Sequence, residues 1–150
     1  MRMIPSSKEI CRQDAIGQKG HVLIFGPMDG DDACITFGSD ILRTMHAPCH
    51  VRLLINTQQA QLRIVRIDEA GKDTIYLEPN QDGVFQCEAN SFINRLCDCF
   101  GLRKDWDLHL GGFEEKIDGK NVITFHLRNL YSVRKLRSGV NMEVSKDGHG

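Results

Sequence analysis

The residues best suited to metal chemistry are His46, Cys49 and His50, which lie within five positions of one another. Imidazole nitrogen and thiolate sulfur are ligands that zinc prefers. A zinc site usually takes a second pair of ligands such as Cys-x-x-Cys, and the chain contains no such pair. A structural loop with a half-buried cysteine is the alternative, so we predict neither a metal site nor a cofactor.

The same residues suggest nucleophilic catalysis, with Cys49 as the nucleophile and His46 or His50 as its base. That hypothesis needs a cleft and a thiol of lowered pKa. No glycine-rich phosphate loop, His-Glu-x-x-His or Gly-x-Ser-x-Gly motif accompanies the pair. A small cysteine-dependent enzyme is therefore the third of three functional hypotheses, and we expect a non-enzymatic protein.

A basic stretch near the C-terminus supports the first hypothesis, a regulatory module that binds DNA. It holds four bases and no acid: Arg128, Arg134, Lys135 and Arg137. Its apolar residues Leu130, Val133 and Leu136 lie three apart, so the stretch could form a basic amphipathic segment that contacts phosphates or an acidic partner. A solvated tail that caps the sheet with these apolar residues is the alternative.

An acidic stretch supports the second hypothesis, a protein-binding adaptor or inhibitor. Between Met28 and Asp40 there are four acids and no base, and three of the acids form a turn: Asp29, Asp31 and Asp32. Such a turn could mimic a charged partner, or it could be a solvated hairpin tip. It lacks the distal Glu and the other ligands of an EF-hand calcium loop.

Composition places the chain among globular proteins. Its 150 residues allow one domain or two small intertwined halves, with 41% hydrophobic residues, 26% charged residues and a net charge of −1. There is no apolar run of membrane-spanning length and no secretory signal, so we expect a cytoplasmic protein without a membrane partner. The six cysteines are expected to be reduced thiols.

The elements that would position these residues occur twice. After a flexible arm over 1–20, the first repeat covers 21–72 and reads as a hairpin of two strands, a helix from Gly38 to His46, and strands at 51–55 and 62–67. The second repeat, 73–137, includes the basic extension and precedes a flexible tail over 138–150. The repeating order predicts a duplicated unit. The alternative is that any strand-rich chain can be cut into similar halves.

The second repeat follows the same order of elements. It predicts strands at 73–79 and 84–87, a helix capped by Asn90 and Ser91 and ended by Gly101, and strands at 106–110 and 122–127. A glycine-rich hairpin containing Asp118-Gly119 joins the last two strands. The predicted class is α+β, with strand-strand-helix-strand-strand units that form one pseudo-symmetric sheet or barrel with two short helices.

The segments Ile35–Met45, Pro48–Asn56 and Leu62–Val65 resemble the signature of the swapped-hairpin transcription factors of the AbrB and MraZ type. The resemblance implies two interlocked units, from two chains or one tandem chain, and DNA binding through basic residues. The helix entries here lack the family's Ile-Pro step, and acidic turns replace its basic strand. We therefore transfer the topology and no DNA-contacting residue. Exposed strand edges would also permit a homodimer.

Overall fold

The computed structural model describes residues 12, 15–26, 33–102 and 107–129, and the backbone alone of two further strands at 131–135 and 142–146. These residues form ten strands of one sheet and two α-helices. Eight of the strands form a continuous antiparallel path that nearly closes on itself. The predicted α+β class is confirmed.

The first half of the path contains β1 (His21–Gly26), β2 (Cys34–Phe37), α1 (Ser39–Thr44), β3 (Cys49–Asn56) and β4 (Gln61–Ile67). The predicted β1–β2 hairpin is present, with Leu23 opposite Phe37. Helix α1 follows Gly38, which has no side chain to cap it, and the Asp40 carboxylate accepts a hydrogen bond from the backbone N–H of Gly20 at 2.6 Å. Helix α1 therefore begins without a side-chain cap, and it ends two residues before the predicted His46.

The second half contains β5 (Thr74–Leu77), β6 (Phe85–Glu88), α2 (Asn90–Phe100), β7 (Asp107–Ile117) and β8 (Lys120–His126). The predicted cap by Asn90 and Ser91 is wrong, because Ala89 precedes the helix and no side chain caps it. Gly101 ends α2 in the left-handed conformation with φ 62°, as predicted. Asp118 and Gly119 have positive φ values of 52° and 78°, which is the geometry of a tight hairpin turn.

The strands join in the order β5-β3-β4-β8-β7-β1-β2-β6, so β5 and β6 are the two edges of the path. Strand β9 (Tyr131–Lys135) pairs with the beginning of β7, and β10 (Met142–Lys146) pairs with β9. Alternate residues of each strand face the interior, where they pack in rows such as Ile55, Leu62, Phe125 and Gly112. Both helices bury one apolar face against this core, as Ile41 and Leu42 do from α1.

Candidate nucleic-acid interface

The four predicted bases follow β8, and the structure places three of them. Arg128 is exposed in a 3-10 turn, Leu127–Asn129, that ends β8. Arg134 and Lys135 are on β9, and Arg137 lies outside the described residues. Strand β9 pairs with Asp107–His109 of β7, whereas β8 pairs with the later residues of β7. The basic stretch therefore continues along the edge of β7 where β8 ends.

After the 3-10 turn, the described part of the basic stretch is a β-strand. Residues 131–135 form a strand, in which faces alternate every second residue. In the pairing of β9 with β10, Arg134 stands opposite Glu143 and Lys135 opposite Met142. Over 131–135 the basic stretch therefore has the two alternating faces of a strand.

An aromatic pair joins β7 to the last residue of β8. The rings of Phe113 on β7 and His126 on β8 are stacked, with centroids 5.3 Å apart and planes 22° apart. Phe113 is 42% exposed, although a large apolar side chain is normally buried. The end of β8 therefore carries the half-buried His126 ring two residues before the exposed Arg128, and His126 stacks on the exposed ring of Phe113.

Phe113 belongs to a row of side chains that crosses four strands on the outer face of the sheet. Leu54, Arg63, Thr124 and Phe113 are successive partners in the pairing of β3, β4, β8 and β7. Leu54 and Phe113, at the two ends of the row, are the exposed ones. Thr124 is fully buried, and its hydroxyl donates a 2.5 Å hydrogen bond to Glu115. The middle of the row is packed and its two ends are accessible.

The acidic turn of Asp29, Asp31 and Asp32 lies outside the described residues. The structure therefore leaves the adaptor hypothesis as a prediction.

The three residues considered for metal or nucleophilic chemistry are spread over different surroundings. Cys49 is buried at 6% exposure and packs into the core. His50 follows it in β3, so the two side chains leave the sheet on opposite faces. The His50 ring instead contacts the ring of Tyr76 on β5 in a tilted arrangement, with centroids 4.9 Å apart and planes 51° apart. Cys49 and His50 are thus not arranged as a nucleophile and its base.

The chemistry of the Cys49 thiol also opposes nucleophilic use. Burial raises the pKa of Cys49 above its ordinary value, and the positive charge of Arg66 offsets only part of that rise. A reactive cysteine needs the opposite shift. Among the residues that the structure describes, no group of three or more His, Cys, Asp or Glu side chains is arranged to hold a metal ion.

Sequence reasoning missed Phe113 and His126. The predicted seventh strand ended at Leu110, whereas β7 continues to Ile117 through Gly111, Gly112 and two glutamates. Residues 111–117 were not predicted as a strand because glycine and charged residues are uncommon in strands. The Asp118-Gly119 turn nevertheless implied that the strand before it continues as far as the strand after it. Pairing across that turn was the available signal.

Comparisons with models of known families, with curated proteins and with solved structures give no match to this chain. In the described part of the chain, neither helix has the length and apolar character needed to cross a membrane.

Proposed function

We propose that the protein is a non-enzymatic regulatory module that binds DNA through the end of β8 and the strand that follows it. The observation that carries this proposal is the stack of the exposed Phe113 ring on His126, two residues before the exposed Arg128 in the chain. Accessible aromatic rings stack on bases, and flanking cations contact phosphates. Arg134, Lys135 and Arg137 extend the cationic stretch beyond Arg128.

The strand pairing supports a duplicated, interlocked architecture for this module. The pairing of β1 with β7 has its counterpart in β5 with β3, and that of β3 with β4 in β7 with β8. Two further pairings, β2 with β6 and β4 with β8, join equivalent strands of the two halves. Only the β1–β2 pairing lacks a counterpart among these eight strands. Interlocked halves are what the resemblance to swapped-hairpin transcription factors implies.

The first experiment measures binding of the full chain to fluorescein-labelled 30-mers of mixed sequence, single-stranded and duplex, by anisotropy at 50 and 200 mM NaCl. Phosphate contacts predict a steep loss of affinity over this range. Replacing Arg128, Arg134, Lys135 and Arg137 together by Ala should abolish binding. Replacing any one of them should reduce the slope of log affinity against log salt by about one.

The control carries the same change in charge elsewhere, at Lys19, Arg43, Lys116 and Lys120, all of which are exposed. This control should bind DNA with nearly the affinity of the original chain. Equal retention by both quadruple variants would contradict the proposed interface. No binding to either DNA at 50 mM would reject the proposal and favour the adaptor hypothesis.

The aromatic stack is tested separately by Phe113→Ala. Loss of a stacked base should weaken single-strand binding by about 1–3 kcal/mol, which is roughly 5- to 150-fold. Leu54→Ala removes the other exposed apolar side chain of the row and is the matched control. Unchanged single-strand affinity in Phe113→Ala would remove the stack from the interface.

A further inference from the structure

A cleft of about 850 Å³ lies between β3, β5 and the beginning of α2, on a different part of the molecule from Phe113 and Arg128. This volume is within the range of small-molecule sites. β5 is an edge of the eight-strand path, and residues of α2 form the opposite wall of the cleft. The cleft is therefore bounded by the open edge of the sheet and a helix.

The charges of the cleft favour an anion. Arg52, Lys72 and Arg95 line it, and none of the three forms an ion pair with the residues that the structure describes. Two carboxylates, Asp73 and Glu88, line it as well, which leaves an excess of one positive charge. A ligand with a single anionic head would balance that excess.

The helix wall adds to the same preference. Asn90, Ser91 and Phe92 of the first turn of α2 line the cleft. That turn contains no acidic residue, and no side chain caps its N–H groups. The partial positive charge of this helix N-terminus adds to that of the three bases that line the cleft, and Glu88, two residues before the helix, is one of the two carboxylates already counted.

Apart from Thr57 and Thr74, the remaining lining is mostly apolar. Leu53, Ile55, Ile75 and Phe92 line the cleft and pack against the hydrophobic core, and each of them is only partly buried. An apolar ligand that covers such side chains removes apolar surface from water, which is favourable. The ligand that fits both parts of the lining has an apolar body as well as an anionic head.

We propose that this cleft binds a small organic anion with one carboxylate or phosphate head and an apolar or aromatic body. The head contacts Arg52, Lys72 and Arg95, and the body lies against the apolar wall. The inference is independent of DNA binding, because Arg128, the only one of the four proposed DNA contacts whose side chain the structure describes, does not line the cleft.

The test uses 8-anilinonaphthalene-1-sulfonate, a fluorescent aromatic anion, titrated into the full chain. We expect saturable binding of one molecule per chain. The triple variant Arg52→Gln, Lys72→Gln, Arg95→Gln should weaken it at least tenfold. The control triple variant Lys19→Gln, Arg43→Gln, Lys116→Gln should change it less than twofold. Thermal unfolding verifies that both variants are folded. Equal affinities for the two triple variants would overturn the proposal.

Cys99 provides a second measurement, because this exposed cysteine also lines the cleft. In a Cys11→Ser background, saturating dye should slow alkylation of Cys99 by iodoacetamide at least fivefold, as followed by peptide mass spectrometry. Unchanged alkylation with the dye bound would place the dye elsewhere and overturn the proposal.

Displacement of the dye then separates the two sources of such an anion. Decanoate carries a carboxylate on an aliphatic chain, whereas adenosine monophosphate carries a phosphate on an aromatic body. Displacement by one of them supports the proposal and assigns the subclass. Failure of both at 10 mM would contradict the proposed ligand chemistry. The quadruple Ala variant that tests DNA binding should still bind the dye, so the two proposals fail separately.

Discussion

The outer surface of the sheet differs between its two sides. On β1 and β2 the outward Ile24 and Thr36 are fully buried, and Ile24 forms a small second core with Ala15 from the N-terminal segment and with Val84, which precedes β6. On β3 and β7 the outward positions include Leu54 and Phe113, which remain 45% and 42% exposed. One side of the sheet is covered by the protein's own chain, and the other presents apolar side chains to solvent.

This difference separates residues that stabilise the fold from residues that are available to partners. An outward Ile24 with no exposed surface contributes burial energy, whereas an exposed Leu54 contributes little. Exposed apolar side chains on a sheet face are a feature of interaction surfaces. The side without cover is also the side that carries the Phe113–His126 stack.

The largest expected effect comes from Ile24→Ala. It removes buried methyl groups from the second core and should lower the free energy of unfolding by about 2–4 kcal/mol. Leu54→Ala, at an exposed outward position of similar size, should cost no more than about 0.5 kcal/mol. Urea unfolding measures both, and similar losses for the two variants would show that the outer surface has no such division.

The next effect concerns the core beneath the exposed side. A Cβ at Gly112 would lie 2.5 Å from the ring of the fully buried Phe125, so Gly112→Ala should destabilise by about 1–3 kcal/mol. Its neighbour Gly111 faces outward, and a Cβ there meets nothing within 4 Å. Gly111→Ala should be neutral or stabilise by a few tenths of a kcal/mol. A cost at Gly111 as large as at Gly112 would mean that this face is covered too.

A smaller, pH-dependent effect arises at Cys87 on β6. Burial raises the pKa of this thiol from 9.0 to about 11. Because the folded protein holds the proton more tightly than the unfolded chain, the contribution of Cys87 is full below pH 9 and is lost as the pH rises towards 11. We expect a loss on the order of 1 kcal/mol by pH 10.

The measurement is urea unfolding of the original chain and Cys87→Ser between pH 8 and 10.5. The Ser variant should lose stability less steeply above pH 9. Parallel curves for the two chains would show that the thiol is accessible to water in the folded state. Cys99, which is exposed, should react with iodoacetamide at pH 8 well before Cys87 does.

Local patterns in the sequence were sufficient to predict most strands and both helices. They were insufficient to predict how the strands are ordered in the sheet. Alternation and turn residues located β1, β2, β4 and both helices to within a few residues, because those signals act over short distances. The sequence did not indicate that β5 and β6 pair with different strands instead of with each other. Both strands resemble a hairpin in sequence, yet β5 pairs with β3 and β6 with β2. Which distant edge a strand joins depends on how the whole core packs.

The candidate site shows the same limit. Spacing along the chain suggested a cluster of His46, Cys49 and His50, whereas strand alternation places Cys49 and His50 on opposite faces. The Phe113–His126 stack joins residues of two strands across a tight turn, and the anion cleft joins β3 and β5 to α2. The hairpin turn at Asp118-Gly119 was a sequence signal for the first of these contacts, whereas the cleft follows from strand order and has no signature in linear spacing.

The smallest expected effect concerns an ion pair between the N-terminal segment and the residues that precede β6. Arg12 and Asp82 form an ion pair at 2.5 Å, but their side chains are 43% and 34% exposed. Ion pairs this accessible contribute at most about 0.5–1 kcal/mol and are screened by salt. Arg12→Ala should therefore change the free energy of unfolding by about 0.5 kcal/mol or less at 150 mM NaCl. A double-mutant cycle with Asp82→Ala isolates the interaction of the pair. If Arg12→Ala lowered the free energy of unfolding as much as Ile24→Ala, the ion pair would hold the N-terminal segment against the sheet. The small effect expected of Arg12→Ala instead assigns that role to the apolar contacts of Ala15, Ile24 and Val84.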